Sequence, residues 1–239
     1  MVSEINFTLN DSDLVVVIGQ VGSGKSSLLA TIMKECELRR GEFAVNGELA
    51  YVEQEPFILS DTIKYNIILG KELNETRLAE VVKVCQLESD LELFPKGIDT
   101  FIGEQGVNIS GGQKARIALA RAVYSDADIY LLDDPLSAVD PGVADKIFKE
   151  CIQGYLGQKA RILVTHQLHF LTNLPRILLL DSSGKQKFFG SYEVLVASDV
   201  MDIAKIMESY QTSGKDPEAK KRALRMIRRN RKLTEGLMR

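Results

Sequence analysis

The sequence predicts an α/β fold in which a parallel sheet is accompanied by a smaller, mostly helical lobe. The apolar runs Leu14–Ile18 and Ile129–Leu132 are short, as in strands that are buried on both faces of a sheet. Strand and helix patterns alternate near both ends of the chain, which is the order that gives parallel strands. Between residues 61 and 124 the pattern is mostly helical, and this stretch predicts the second lobe.

The individual elements follow from apolar patterning and from turn residues. A strand is expected at Asp13–Gly19 and a helix at Lys25–Lys34. Asn46-Gly47 is a strong hairpin signal, so a hairpin is expected over Gly41–Val52. Further helices are expected at Thr62–Leu69, Glu75–Cys85, Ser89–Phe94, Gly111–Tyr124, Tyr192–Ala197 and Val200–Tyr210. Further strands are expected at Asp128–Asp133, at Arg161–Thr165 and on both sides of Ser182-Ser183-Gly184, with a helix between the first two.

Composition is that of a soluble domain with a substantial core. The 239 residues are 45% hydrophobic and 26% charged, which is close to the average for folded domains. The apolar runs are much shorter than the roughly 18 residues that a membrane-spanning helix needs, and residues 1–10 lack the features of a secretory signal. A link to a membrane is therefore expected to come through a partner or a covalent continuation.

The three cysteines are Cys36, Cys85 and Cys151, which lie far apart and in no metal-binding spacing. An odd, scattered set of this kind is typical of reduced, mostly buried thiols in the cytosol. We expect neither a catalytic nor a metal-binding role for them.

A glycine-rich turn joins the first strand to the first helix. The segment Gly19-Gln-Val-Gly22-Ser-Gly24-Lys25-Ser26 fits the Walker A pattern G-x-x-x-x-G-K-[ST]. Its backbone N–H groups and the helix N-terminus are suited to phosphate, with Lys25 reaching the β- and γ-phosphates and Ser26 holding Mg²⁺. A chance glycine turn is the alternative, which the flanking strand and helix disfavour. The candidate phosphate-binding residues are Gly19, Gly22, Ser23, Gly24, Lys25, Ser26 and Ser27.

A second apolar strand ends in the carboxylates Asp133 and Asp134, which is the Walker B arrangement. Asp133, at the carboxyl end of the strand, is expected to hold Mg²⁺, mostly through water. The alternative is that two acidic residues simply open a solvated loop.

The family is indicated by what accompanies these two motifs. Residues 108–114 read N-I-S-G-G-Q-K and resemble the LSGGQ signature of ATP-binding-cassette (ABC) ATPases. Gln54 matches the Q-loop glutamine of that family, Ser137–Asp140 its D-loop, and His166 its switch histidine. The six motifs occur in the family's order across residues 14–190. The resemblance implies a P-loop NTPase of the ABC ATPase fold, in which a RecA-like parallel-sheet lobe carries an inserted helical lobe.

The resemblance implies ATP and Mg²⁺ as cofactors and assigns roles to the matching residues. Asp134, His166 and Gln54 are the candidate catalytic residues, and Gln54 would also contact Mg²⁺. Residues of the signature and D-loop would contact the ATP that a second domain binds: Ser110, Gly111, Gly112, Gln113 and Asp140.

His166 and His169 can also be read as a metal pair at i, i+3. The switch interpretation is preferred for His166, because this histidine follows a strand in the family's order. His169 is expected to be a surface or packing residue.

The detailed sequence in and around these motifs resembles the C subfamily, the multidrug-resistance-associated proteins. The resemblance is greatest to their first nucleotide-binding domain. The matching segments are Tyr51–Phe57, Asn66–Gly70, Gly103–Gly106 and Asp126–Asp140. This resemblance implies a weakly hydrolysing motor domain at the cytoplasmic face of a membrane. Its partners would be transmembrane domains and a second nucleotide-binding domain in the same polypeptide, and organic anions or conjugates would be exported. No nucleic-acid partner is expected.

Other functions stay open at this point. The C subfamily also contains the cystic fibrosis conductance regulator and the sulfonylurea receptors, so the domain could gate a channel or regulate one. A soluble ABC ATPase of the DNA-repair or translation type is less favoured, because those proteins carry long coiled-coil or other insertions. In this chain the interval from Gln54 to Ile109 is filled by a compact helical lobe of transporter size. A P-loop kinase or GTPase is disfavoured by the signature itself.

Two positions in the motifs depart from the family pattern, one after the Walker B aspartate and one in the signature. Most active ABC domains have glutamate directly after the Walker B aspartate, whereas this chain has Asp134, which is one methylene shorter. A misplacement of about 1 Å can cost roughly 10²-fold in rate. The site is therefore expected to bind ATP and to hydrolyse it slowly. Ile109 replaces the leucine of the signature, which is a mild change.

The start of the chain also departs from the family. ABC domains stack the adenine on an aromatic residue in a hairpin before Walker A, but Phe7 is the only aromatic residue before Gly19. Val2–Leu9 resembles the strand just before Walker A, so this hairpin is expected to be missing. Losing one stack would weaken ATP binding by roughly 1–3 kcal/mol.

The expected boundaries place the nucleotide-binding domain at 1–210, with its helical lobe at about 57–125, and a basic tail at 211–239. The tail has ten Lys and Arg against three Asp and Glu, whereas the whole chain carries −3. The tail is interpreted either as a solvated linker or as a regulatory segment that docks on the acidic body or on anionic lipid. Arg229–Thr234 fits a basophilic kinase site, with Thr234 as the acceptor.

Overall fold

Buried parallel strands dominate the sheet of this α/β protein, as expected. The computed structural model describes residues 2–103 and 107–198. Six strands form one sheet in the order β2-β5-β6-β1-β7-β8, and β3 and β4 form a two-stranded antiparallel sheet. The pairs β1–β7 and β2–β5 are parallel, whereas β8 runs antiparallel to β7. The strands are β1 (Leu14–Gly19), β2 (Leu49–Val52), β3 (Asp61–Thr62), β4 (Phe101–Ile102), β5 (Ile129–Asp133), β6 (Ala160–Val164), β7 (Ile177–Leu180) and β8 (Gln186–Gly190).

Helices connect these strands and fill most of the interval between β2 and β5. They are α1 (Lys25–Ile32), α2 (Ile63–Ile68), α3 (Glu75–Val84), α4 (Glu88–Leu93), α5 (Gly111–Tyr124), α6 (Pro141–Lys146) and α7 (Tyr192–Ala197). A π-helix, Ile147–Tyr155, follows α6, and short 3₁₀ turns occur at Gly97–Asp99 and Leu168–Leu171. Within the residues described, no helix combines the length and the apolar character that crossing a bilayer requires.

The described residues divide into two compact units. Of the described residues, the first unit takes 2–8, 15–44 and 163–198, and the second takes 9–14, 45–103 and 107–162. Every residue of β1 is buried, because its run of valine and isoleucine suits a strand covered on both faces. The Phe7 ring lies 5.9 Å from the Phe189 ring, so the only aromatic residue before Gly19 packs on β8.

In the second unit, Tyr124 fastens the end of α5 to the start of α3. Its buried hydroxyl donates to the Glu72 carbonyl and accepts from the Asn74 N–H, both at 2.8 Å. Asn74 in turn caps α3, because its side-chain oxygen accepts from the Arg77 N–H at 2.9 Å. One tyrosine thus orders the connection on which the first turn of α3 depends.

Arg121, also on α5, holds the segment between β2 and α2. Its guanidinium donates to the Phe57 carbonyl at 2.9 Å, to the Asn66 carbonyl at 2.7 Å and to Asn66 Oδ1 at 2.9 Å. Asn66 is itself buried and bonds in both directions with the backbone of Leu59. Burial lowers the pKa of Arg121, and the negative charge of Glu53 opposes that shift.

The expected hairpin over Gly41–Val52 is wrong. Only Leu49–Val52 forms a strand there, and its partner is β5, in parallel. Gly47 does adopt a positive φ, but it brings the backbone against Asp128, whose carboxylate accepts the Glu48 N–H at 2.8 Å. Asn46-Gly47 therefore does not form a hairpin turn. It leads into β2, which pairs with the distant strand β5.

The cysteines agree with the expected thiols. Cys36 is exposed, whereas Cys85 and Cys151 are buried in the second unit. Burial raises the pKa of the Cys85 thiol, and a hydrogen bond with Cys151 raises it further. The expected helix Val200–Tyr210 and the basic tail, including Thr234, lie outside the described residues.

A buried leucine on α5 should be far more costly to remove than an exposed one. Leu119 is 0% exposed and Leu93, on α4, is 83% exposed. Leu119→Ala is expected to lower the free energy of unfolding by about 2–5 kcal/mol, because it removes buried contacts and leaves a cavity. Leu93→Ala is the control and should change it by less than about 0.5 kcal/mol. Urea unfolding measures both, and equal losses would contradict the assigned core.

Candidate nucleotide-binding site

The Walker A segment forms a tight loop between β1 and α1 in the first unit. Gly22 and Gly24 have φ of 82° and 88°, a left-handed conformation that glycine adopts without strain. Ser23 is buried, and its N–H donates to the Gln20 carbonyl at 3.1 Å. The loop is thereby curled as the phosphate-binding pattern predicts.

Lys25 lies over this loop. Its Nζ donates to the carbonyls of Gly19 and Gln20, both at 2.9 Å. The N-cap of α1 is Gly24, which has no side chain with which to cap the first N–H groups of the helix. Ser26 and Ser27, in the first turn, are exposed. A positive side chain, helix N–H groups and hydroxyls are thus gathered where an anion can bind.

The Walker B carboxylates lie at the end of β5 in the second unit. Asp133 is 3% exposed and Asp134 is 9% exposed. Asp134 has a φ of 51°, which aspartate tolerates better than most residues, and its carbonyl accepts the Ser137 N–H at 3.1 Å. This turn fixes the position of Asp134 and begins the D-loop.

The signature begins α5. Ser110 is the N-cap: its hydroxyl accepts the Gln113 N–H at 3.2 Å, and the Gln113 side chain accepts the Ser110 N–H at 2.8 Å. This reciprocal arrangement is a capping box. The S-x-x-Q spacing was available in the sequence as a signal for it.

The signature and the D-loop are in contact within the second unit. A Cβ added to Gly112 would lie 2.9 Å from the Ala138 carbonyl oxygen, so this glycine permits a close backbone approach. A Cβ on Gly111 would lie 3.7 Å from Ala138 Cβ, which is an ordinary contact. Sequence reasoning predicted both motifs but not their contact.

The remaining candidates follow strands or begin helices. Gln54 is exposed two residues after β2, and exposed Asp140 precedes α6, where its carbonyl accepts the Ala144 N–H at 2.8 Å. His166 is half-buried two residues after β6. The His169 ring lies 4.1 Å from the Phe170 ring, as expected of a packing residue. Among the described residues, no group of three or more His, Cys, Asp or Glu side chains could hold a metal ion.

Sequence reasoning missed Asp90 and Arg116. These side chains form an ion pair at 2.8 Å beside the signature, and Asp90 also accepts a hydrogen bond from Gln113. Asp90 lies 23 residues before Gln113, so no local pattern connects them.

Residues 2–137 match the family model described as ABC transporter. The chain belongs to the ABC transporter family. The resemblance of the sequence to this family is thereby confirmed, as is the predicted fold class.

Known relatives of this ABC domain belong to the C subfamily, as expected. It is 45% identical over 206 residues to ABC transporter C family member 12 of Dictyostelium discoideum. It is 46% identical over 199 residues to the probable multidrug resistance-associated protein lethal(2)03659 of Drosophila melanogaster. It is 44% identical over 213 residues to ATP-binding cassette sub-family C member 4 of Homo sapiens. These matches cover 86%, 83% and 89% of this chain but only 15%, 14% and 16% of the relatives.

The contact at Gly112 predicts unequal effects of two neighbouring substitutions. Gly112→Ala is expected to lower the free energy of unfolding by about 1–3 kcal/mol, because the new methyl overlaps the Ala138 carbonyl. Gly111→Ala is the matched control and should be neutral within about 0.5 kcal/mol. Urea unfolding of both variants checks this, and a neutral Gly112→Ala would contradict the close approach.

Proposed function

We propose that this chain binds Mg·ATP and acts as the motor domain of a C-subfamily exporter. The Walker A loop carries the proposal. Its curled glycine backbone, Lys25 and the start of α1, where the N-cap is glycine, provide convergent donors for the triphosphate. On binding, Lys25 would exchange its two loop carbonyls for β- and γ-phosphate oxygens. The neighbouring serines Ser23 and Ser27 complete the loop.

The proposed Mg²⁺ ligands are the Ser26 hydroxyl, the Asp133 carboxylate and the Gln54 amide oxygen. All three are hard oxygen donors, which Mg²⁺ prefers, and few protein ligands suffice because the ion keeps water and phosphate in its shell. The ion would neutralise charge on the β- and γ-phosphates. Burial of Asp133 at the end of β5 holds one donor in a fixed place.

We propose that hydrolysis at this domain's own site is slow. Asp134 occupies the position of the residue that polarises the attacking water, and Gln54 and His166 are the proposed assisting residues. The Asp134 backbone is anchored by Ser137, so its shorter side chain cannot advance by a simple backbone shift. A residue held about 1 Å from its productive position loses roughly 10²-fold in rate.

The signature and D-loop are proposed to serve the ATP of a second nucleotide-binding domain. Ser110, Gly111, Gly112, Gln113 and Asp140 are the residues concerned. The uncovered start of α5 supports this role, because Ser110, Gly111 and Asp140 are all exposed. A helix start offers N–H groups and partial positive charge to a phosphate.

Transmembrane domains are the other proposed partners and place the domain at the cytoplasmic face of a membrane. Phe57 is 58% exposed, and Tyr65 and Leu69 are also exposed large side chains in the segment that Arg121 holds. Such a surface suits a membrane-domain helix. Organic anions or conjugates are the proposed cargo, and the first nucleotide-binding domain is the proposed position in the transporter. ATP-dependent gating of a channel is the second candidate.

Lys25 should control nucleotide affinity. Lys25→Ala is expected to weaken Mg·ATP binding at least several-fold, because it removes the only side-chain cation assigned to the β- and γ-phosphates. Fluorescent-nucleotide titration measures this, with Lys71→Ala, an exposed lysine elsewhere, as the control. Equal affinities in all three proteins would show that the loop does not bind ATP.

Asp134 should limit turnover. When the chain is paired with a second nucleotide-binding domain, Asp134→Glu is expected to raise ATP turnover by roughly tenfold or more, since the longer carboxylate reaches the attacking water. Asp145→Glu, an exposed change on α6, is the control. Phosphate release measures turnover, and no gain from Asp134→Glu would exclude this position as the limit.

A further inference from the structure

A buried carboxylate holds the amide of the signature glutamine on the side away from Ser110. Asp90, on α4, accepts a hydrogen bond from Gln113 Nε2 at 2.8 Å. Oε1 of the same amide accepts the Ser110 N–H, also at 2.8 Å. The Gln113 amide is therefore held at both ends, with its oxygen towards the signature serine.

Arg116 fixes the direction of these hydrogen bonds. Its Nη1 lies 2.8 Å from Asp90 Oδ2, and both side chains are 12% exposed. The guanidinium donates its hydrogen bonds to the carbonyls of Gln86 and Gly112. Because a guanidinium can only donate and an ionised carboxylate can only accept, Gln113 must offer its NH₂ to Asp90. Its carbonyl oxygen is then left for the Ser110 N–H.

We propose that Asp90 is a positioning residue for the ABC signature, acting by fixing the orientation of the Gln113 amide. If this amide flipped, its NH₂ would face the Ser110 N–H, donor against donor, and the capping box would open. The start of α5 would then lose the geometry in which Ser110 meets a phosphate. This inference rests on the proposed function, in which the signature completes the partner's ATP site.

Two isosteric exchanges test the inference. In Asp90→Asn, the new amide cannot both accept from Gln113 and turn an oxygen towards Arg116. In Gln113→Glu, two carboxylates face each other. In the double variant the polarity is reversed but consistent: the amide introduced at position 90 would donate to the carboxylate introduced at position 113, and its oxygen would face Arg116. Glutamate also satisfies the third position of a capping box. Glu92→Gln, an exposed acid-to-amide change on α4, is the control.

Amide hydrogen exchange of the full chain without nucleotide, followed by NMR, gives the first readout. Each single variant is expected to exchange the Ser110 and Gln113 amides about tenfold faster, since each loses one capping hydrogen bond. The double variant should return to within about threefold of the original rates, and Glu92→Gln should leave them unchanged. A melting curve for each variant separates this local opening from global unfolding.

Catalytic turnover gives the second readout, in a full-length transporter carrying these changes. Each single variant is expected to lower kcat about tenfold, and the double variant should restore it. Fluorescent-nucleotide titration of the isolated chain should give the same affinity for Mg·ATP in all variants, since the Walker A loop is unchanged.

Other results would contradict the positioning role of Asp90 or the proposed function, as follows. Unchanged exchange in the single variants, a double variant that does not recover, or recovered exchange without recovered kcat would overturn the positioning role. If a single variant fails to fold, a folded double variant with the original exchange rates still supports it. Absence of Mg·ATP binding by the unsubstituted chain would instead reject the proposed function and leave the exchange result standing.

Discussion

Burial of the four strands β1, β5, β6 and β7 along almost their whole length is the constraint that the rest of the structure depends on. A strand such as β1, in which all six residues are buried, has no room for a charged group along its length, since an unpaired buried charge is very costly. Polar chemistry is therefore confined to the residues at or just beyond a strand end. Gly19 and Asp133 are the last residues of β1 and β5, and Gln54 and His166 each lie two residues after β2 and β6. The spacing of the motifs along the chain reflects this rule.

The sequence predicted best those elements whose boundaries are set locally. Helices α5 and α7 have the expected bounds, and they begin where expected because Ser110 and Ser191 are their N-caps. The hairpin failed because the choice between a local turn and a distant partner is made by β5, about 80 residues further on. For the same reason the glycine pattern predicted the Walker A loop, whereas the contact of Gly112 with Ala138 had no local sign.

In the candidate site, too, features set by local sequence were predicted and features set by distant contacts were not. Residue types and spacing were sufficient to nominate Lys25, Asp133 and Ser110, because each belongs to a short motif. The Asp90–Arg116 pair could not be nominated, because its significance lies in the direction of hydrogen bonds across separate helices. Buried polar groups must be paired, but the sequence alone does not say with which partner.

Helix α5 connects the signature with the segment around Phe57 and Asn66, which lies far from the signature along the chain. Its first turn carries the signature, and its last turns carry Arg121 and Tyr124, which hold Phe57, Asn66 and the start of α3. A helix of 14 residues is about 21 Å long and stiff over that length. Tilting it would displace both ends at once, in opposite directions.

The unequal exposure of the three cysteines makes the folded chain selectively reactive. A thiol-directed reagent needs access and a thiolate, and Cys36 has the access that Cys85 and Cys151 lack. Burial further suppresses the Cys85 thiolate by raising its pKa. A spectroscopic label can therefore be attached near the end of α1 without mutagenesis, while the two unlabelled thiols become chemical reporters of any opening of the second unit.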